Sequence, residues 1–124
     1  MIRILTLALC LSFTSMSFGV DENGDYVARG LANHSCGKFT SAVDKGNNAE
    51  KWEEWNKYQN HTLGFINGLN LGLGNTTDLL GNTDMSGAMA FLEKHCRENP
   101  LGPYRNAISA LLAELYPNRA RTAP

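Results

Sequence analysis

Apolar residues recur every three or four positions in four segments of the chain, and this period predicts α-helices. The segments run over about 35–45, 49–73, 84–99 and 103–115. Residues that cap or end helices lie at their boundaries, with Ser35 before the first, Gly46 after it, and Pro100 and Pro117 after the last two. We therefore expect an all-α fold, a small four-helix bundle without a significant sheet, over residues 35–117.

The stretches on either side of this helical domain lack a regular apolar period. Residues 20–34 are polar and acidic at first and are interrupted by Gly30, so we expect an irregular N-terminal segment. Residues 118–124 are mildly basic and follow a proline, and we expect a flexible tail there.

Residues 1–19 have the pattern of a secretory signal peptide. Arg3 precedes a short apolar run, and Ser17 and Gly19 place small residues where a cleavage site needs them. The run is shorter than the about 20 apolar residues that a transmembrane helix requires, and no later stretch is long enough to span a membrane. We expect cleavage after Gly19 and a soluble exported protein, periplasmic or secreted, without membrane insertion.

Composition and charge exclude two classes of protein, disordered chains and nucleic-acid-binding proteins. The chain of 124 residues is 43% hydrophobic and 19% charged, which is too apolar for a disordered protein. Eleven Lys and Arg residues face twelve Asp and Glu residues, for a net charge of −1. Because proteins that bind nucleic acid carry a basic excess, we expect no nucleic-acid partner.

The cysteines indicate a covalent link within the bundle. Cys10 lies in the signal segment, so the mature chain keeps Cys36 and Cys96. Two cysteines in an oxidising compartment indicate one disulfide, which would join the first helix to the third. Closing a loop of 59 intervening residues is worth about 4 kcal/mol on the chain-entropy model.

The longest predicted helix carries two further patterns. Gly64, Gly68 and Gly72 recur every fourth residue, and we expect close packing of another backbone within the bundle, with a partner-binding groove as the alternative. The same helix begins with three aromatic residues at helical spacing, Trp52, Trp55 and Tyr58. We expect them in the core, with a recognition patch as the alternative.

No set of catalytic or metal-binding residues is evident in the sequence. His34 and His95 next to the cysteines suggest zinc only weakly, because adjacent helix residues point about 100° apart, and a disulfide is favoured. His61 is the best candidate for a general base, but no carboxylate lies three or four positions from it. We expect no catalytic, cofactor-binding or metal-binding residue and no cofactor. A small hydrolase that uses His61 is the minor alternative.

Three short motifs resemble those of known families: SCGKF at 35–39, LGFINGLN at 63–70 and CRENP at 96–100. Over roughly residues 35–116 the chain resembles two groups of small periplasmic helical proteins. One group is the HdeA-like acid-stress chaperones, which carry one disulfide. The other is the Tai-type, resistance-associated immunity proteins of type VI secretion. The first resemblance implies unfolded client proteins as partners, and the second implies a toxin or effector.

The functional prediction combines these points. An exported bundle with one disulfide and no catalytic set favours a non-catalytic, periplasmic protein-binding domain of immunity or inhibitor type. Its partner would be a toxin or effector, a second copy in a homodimer is a further candidate, and the loop over 74–83 is the expected contact. The alternative is an acid-activated chaperone, because ten Lys and Arg residues with three protonated histidines give the mature chain a charge near +13.

Overall fold

The computed structural model describes residues 21–45 and 49–123, with the backbone alone at 49–51. These residues form four α-helices: α1 (Cys36–Asp44), α2 (Ala49–Gly72), α3 (Met85–Glu98) and α4 (Tyr104–Leu115). Short 3-10 turns precede α1 at Gly30–Asn33 and follow α4 at Tyr116–Asn118. Over the described ranges no strand is formed, so the all-α, four-helix prediction is confirmed. The predicted signal peptide, residues 1–19, lies outside the described residues.

The helix ends follow the capping residues of the sequence. The Ser35 hydroxyl accepts a hydrogen bond from the Lys38 backbone N–H at 3.3 Å, and an Asp84 carboxylate oxygen accepts one from the Gly87 N–H at 2.8 Å. Such caps satisfy backbone donors that the first helical turn leaves without a partner. Pro103 lies one residue before α4 rather than at its first helical position. The next N–H, that of Tyr104, instead donates to the carbonyl of His34 at 2.7 Å.

A disulfide and an aromatic cluster form the centre of the core. Cys36 and Cys96 are bonded with their Cα atoms 4.7 Å apart, which joins α1 to α3 and confirms the predicted pairing. Phe39, Tyr58 and Tyr104 come from three helices, and their ring centroids lie 4.9–5.1 Å apart in tilted or edge-on arrangements. Aromatic pairs in this geometry contribute beyond their buried area. The cluster therefore ties α1, α2 and α4 together.

Helix α2 buries one face and leaves the opposite face open. Tyr58, Thr62 and Ile66 are almost completely buried, and Trp55 packs against the core. Trp52 is 56% exposed, so its predicted place in the core is wrong. Trp52 lies six positions before Tyr58, which places it about 120° around the helix from Tyr58 and away from the core. No described helix is both long enough and apolar enough to cross a membrane.

Two residues of the predicted flexible tail, Arg119 and Ala120, pack against the rest of the described chain. Arg119 is only 8% exposed, and its side chain donates to the Thr76 hydroxyl at 2.9 Å and to the Tyr116 carbonyl at 2.7 Å. The backbones of Asp78 and Ala120 pair with each other. Residues 118–120 therefore hold the loop that follows α2.

Candidate functional site

A buried hydrogen bond joins the middle of α2 to the first residue of α4. Thr62 Oγ1 and the Tyr104 hydroxyl oxygen lie 2.9 Å apart, and Thr62 also donates to the Tyr58 carbonyl at 2.9 Å. Burial raises the pKa of Tyr104, so its hydroxyl stays protonated. A second contact between these parts of the chain lies beyond the C-terminal ends of both helices, where Asp78 after α2 pairs with Ala120 after α4. Because both contacts follow the same order along the two segments, α2 and α4 run in the same direction.

A cavity of about 370 Å³ lies between these two helices, and we call it the α2–α4 groove. Helix α2 contributes His61, Phe65 and Leu69 to its lining, and α4 contributes Ile108 and Leu112. From His61 to Leu69 the groove is about 12 Å long, since a helix rises 1.5 Å per residue. Its volume and mainly apolar lining are within the range of known ligand sites.

One end of the α2–α4 groove is cationic. Arg29 and Arg105 both line it, and an Nη atom of Arg105 donates to Asn33 Oδ1 at 2.8 Å. Asn33 Nδ2 in turn donates to the carbonyl of Ala28 at 2.8 Å, which fixes the N-terminal segment to the start of α4. The described residues that line the groove include no Asp or Glu.

His61 lies in this lining at the level of the Thr62–Tyr104 contact. Its ring centroid is 6.1 Å from that of Tyr104, and burial lowers the pKa of His61. The described lining brings no carboxylate to the imidazole, so the groove holds a histidine without the acidic group that would orient it as a base.

The three glycines of α2 do not pack against another part of the described chain. A methyl group added at Gly64, Gly68 or Gly72 would meet no other atom within 4 Å. The predicted close packing within the bundle is therefore wrong, because this flank of α2 faces outward. Gly68 and Gly72 lie within about 60° of Phe65 around the helix, so a strip without side chains borders the groove.

The loop over 74–83 is anchored in its middle. Leu79 is fully buried, and its N–H donates to Asn70 Oδ1 at 2.7 Å. The Asp78 backbone pairs with Ala120. These contacts leave the central part of the loop unavailable as the protruding contact that the sequence favours.

A second depression between α1 and α2 is more polar. It has a volume of about 620 Å³ and is lined by charges of both signs, including Lys38, Lys45 and Glu54. Lys57 pairs with Glu54 at 2.7 Å and lowers the pKa of that carboxyl. His34 Nδ1 lies 3.0 Å from the Tyr58 hydroxyl. Because Glu54 is already paired with Lys57 and His34 lies against the Tyr58 hydroxyl, the α2–α4 groove is the stronger candidate for binding a partner.

Both cysteines of the described residues are joined in the disulfide. Cys36 and Cys96 are buried and bonded to each other, which leaves no thiol for catalysis or metal binding at these positions. Within residues 21–45 and 49–123, no three His, Cys, Asp or Glu side chains are arranged to hold a metal ion.

Sequence reasoning missed the residues that give the groove its charge. Arg29 comes from the segment predicted to be irregular, and Arg105 from the first turn of α4, where it is only partly buried. Neither position belongs to an apolar period, so no local pattern shows that they lie at one site. No protein-family model, curated protein or solved structure matches this chain.

Proposed function

We propose that this protein is an exported, non-catalytic binding domain of immunity or inhibitor type that acts in the periplasm on a protein partner. The α2–α4 groove carries this proposal. It combines an apolar floor, a cationic end and an adjoining exposed strip on α2. Binding energy at protein interfaces comes mainly from apolar and aromatic side chains buried in such concave pockets.

The margin of the groove supports a protein partner. Tyr26 lines the groove and is 57% exposed, and Val27 beside it is more exposed still. Exposed apolar side chains grouped around a cavity are typical of an interaction surface, whereas single ones need no explanation.

The test places a photo-crosslinking residue in the groove. A photoreactive phenylalanine analogue at Ser109, which lines the groove, should capture a specific protein from the periplasm at neutral pH. The same analogue at Ala90, exposed on α3, is the control. The captured protein is then expressed in the periplasm with and without this chain. We expect wild type, but not Ser109→Trp, to relieve its toxicity or inhibit its activity.

Two results would contradict the proposal. One is equal capture from positions 109 and 90. The other is a partner captured through the groove whose activity this chain leaves unchanged.

The acid-activated chaperone is the second candidate, and His61 is the observation that favours it. Burial lowers the pKa of His61, so protonation in acid places a charge in an apolar lining. That charge, close to Arg29 and Arg105, favours opening of the groove. Suppression of client aggregation in acid alone, reduced by His61→Gln, would support the chaperone. Inhibition of a toxin at neutral pH would support the immunity function.

A further inference from the structure

The α2–α4 groove has a direction, with charge at one end and apolar surface along the rest. Arg105 follows Tyr104, whose hydroxyl contacts Thr62, so the guanidinium lies at the His61 end. Its bond to Asn33 holds it beside the segment that carries Arg29. An arginine has five N–H donors, and within the described residues the bond to Asn33 uses one donor of Arg105.

Charge complementarity identifies the polar part of the occupant. Two guanidinium groups line the cationic end, and no Asp or Glu is found among the described lining residues to neutralise them there. Guanidinium groups bind carboxylates in a planar, two-bonded geometry that neutral groups cannot match. The occupant therefore presents a carboxylate at this end.

The apolar part of the groove matches a short length of helix. Phe65, Leu69, Ile108 and Leu112 line it beyond the cationic end, over a length of about 12 Å. That distance corresponds to about two helical turns, enough for apolar side chains at positions i, i+3, i+4 and i+7.

The strip beside the groove favours a polypeptide over a small amphiphile. Gly68 and Gly72 border the α2 wall, and a methyl group added at either position would have no other atom within 4 Å. Small residues at such a position let a second helix backbone come close. A small anionic amphiphile would fill the groove and leave this strip uncovered.

We propose that the α2–α4 groove receives an amphipathic helical segment of a partner protein, with its apolar side chains between α2 and α4 and a carboxylate beside Arg29 and Arg105. This inference rests on the proposed function and names the partner surface that the domain recognises.

The experiment uses a displayed library of helical peptides with randomised positions. The library is selected on the mature protein and counter-selected on Ser109→Trp, which fills the groove. We expect the enriched sequences to share apolar residues at three- and four-residue spacing with Asp or Glu near one end. A synthetic peptide of that sequence should bind the protein in fluorescence anisotropy, more weakly as salt increases.

Charge-reversed variants measure the role of the arginines. Arg105→Glu, at a partly buried side chain, should weaken binding of the peptide by about tenfold, since an attraction is lost and a repulsion added. Arg29→Glu should weaken binding less, because Arg29 is exposed and its charge is screened by solvent. Lys94→Glu makes the same change in net charge on α3 and should leave binding unchanged. Because Arg105 also bonds Asn33, circular dichroism must show each variant folded, and Arg105→Lys should keep part of the binding.

Several outcomes would overturn the inference. The library could fail to enrich any peptide on the mature protein, or the enriched peptides could lack carboxylates. Lys94→Glu could weaken binding as much as Arg105→Glu does, or dodecanoate could bind in the groove while no peptide does. Peptide binding without neutralisation of a captured partner would overturn the immunity function alone. Neutralisation that survives Arg105→Glu and Arg29→Glu would overturn this inference alone.

Discussion

The bundle has one closed side and one open side. On the closed side, the Cys36–Cys96 disulfide joins α1 to α3 through fully buried residues. Arg97 of α3 also contacts Asp44 at the end of α1, with Nη2 and Oδ1 2.6 Å apart. On the open side, α2 and α4 share the buried Thr62–Tyr104 contact and then line a cavity of about 370 Å³.

The difference shows where this small domain concentrates its stability. The covalent bond and the aromatic cluster lie on or near the closed side, and together they hold part of each of the four helices at the centre of the core. On the open side, three glycines have open space beside them, and the apolar groove residues Phe65, Leu69 and Leu112 are only partly buried. The predictions below test this division, starting with the largest expected effect.

Removal of the disulfide should break the closed side. The double variant Cys36→Ala/Cys96→Ala should lose about 4 kcal/mol of unfolding free energy, because the cross-link closes a long loop with a sequence separation of 60. Urea denaturation of both proteins gives this difference. A loss below about 1 kcal/mol would mean that the closed side does not depend on the bond.

Gly81 tests the packing of the loop on the segment after α4. It has φ = +56°, and an added methyl group would collide with the backbone carbonyl of Asn118. Gly81→Ala should therefore lower the unfolding free energy by about 2 kcal/mol or more. Gly30→Ala is the matched control, since φ is +64° there but the space is open. Equal losses in the two variants would show that the contact with Asn118 contributes nothing.

His61 should make the open side sensitive to acid. Burial lowers the pKa of His61 below its usual value of 6.5, so the unfolded chain binds the proton more tightly. Stability from this group is present above pH 6.5 and falls as the pH drops from there toward the folded-state pKa. Denaturation of wild type and His61→Gln at neutral and mildly acidic pH measures the effect. We expect a smaller pH dependence in the variant.

Gly68→Ala should have the smallest effect on stability, and it should stabilise the fold, whereas Gly81→Ala and removal of the disulfide destabilise it. The residue lies inside α2 with open space around it. Gly68→Ala should raise the unfolding free energy by about 0.5–1 kcal/mol, because alanine is the better helix former. The same variant should weaken the library-selected peptide if a helix backbone lies on this strip. A loss of stability would show that Gly68 packs against part of the chain after all.

Much of the fold was predictable because it follows local patterns. Apolar periodicity and capping residues predict the helix bounds to within about two residues, and the two cysteines that follow the predicted signal peptide predict the disulfide. The glycines of α2 were misread because a residue without a side chain does not reveal which face is buried. Arg119 was placed in a flexible tail because its partners, Thr76 and Tyr116, are set by tertiary contacts. The groove escaped prediction for the same reason, since it is assembled from three separate segments.

The disulfide has a further consequence for survival among proteases. It encloses residues 37–95, which contain most of α1, all of α2 and the loop over 74–83. A single peptide-bond cut anywhere in this interval leaves two fragments that remain one covalent molecule. The cut protein would migrate as an intact chain on a non-reducing gel and as two bands after reduction. A single proteolytic cut between the two cysteines therefore does not release a fragment of this domain until the disulfide is reduced.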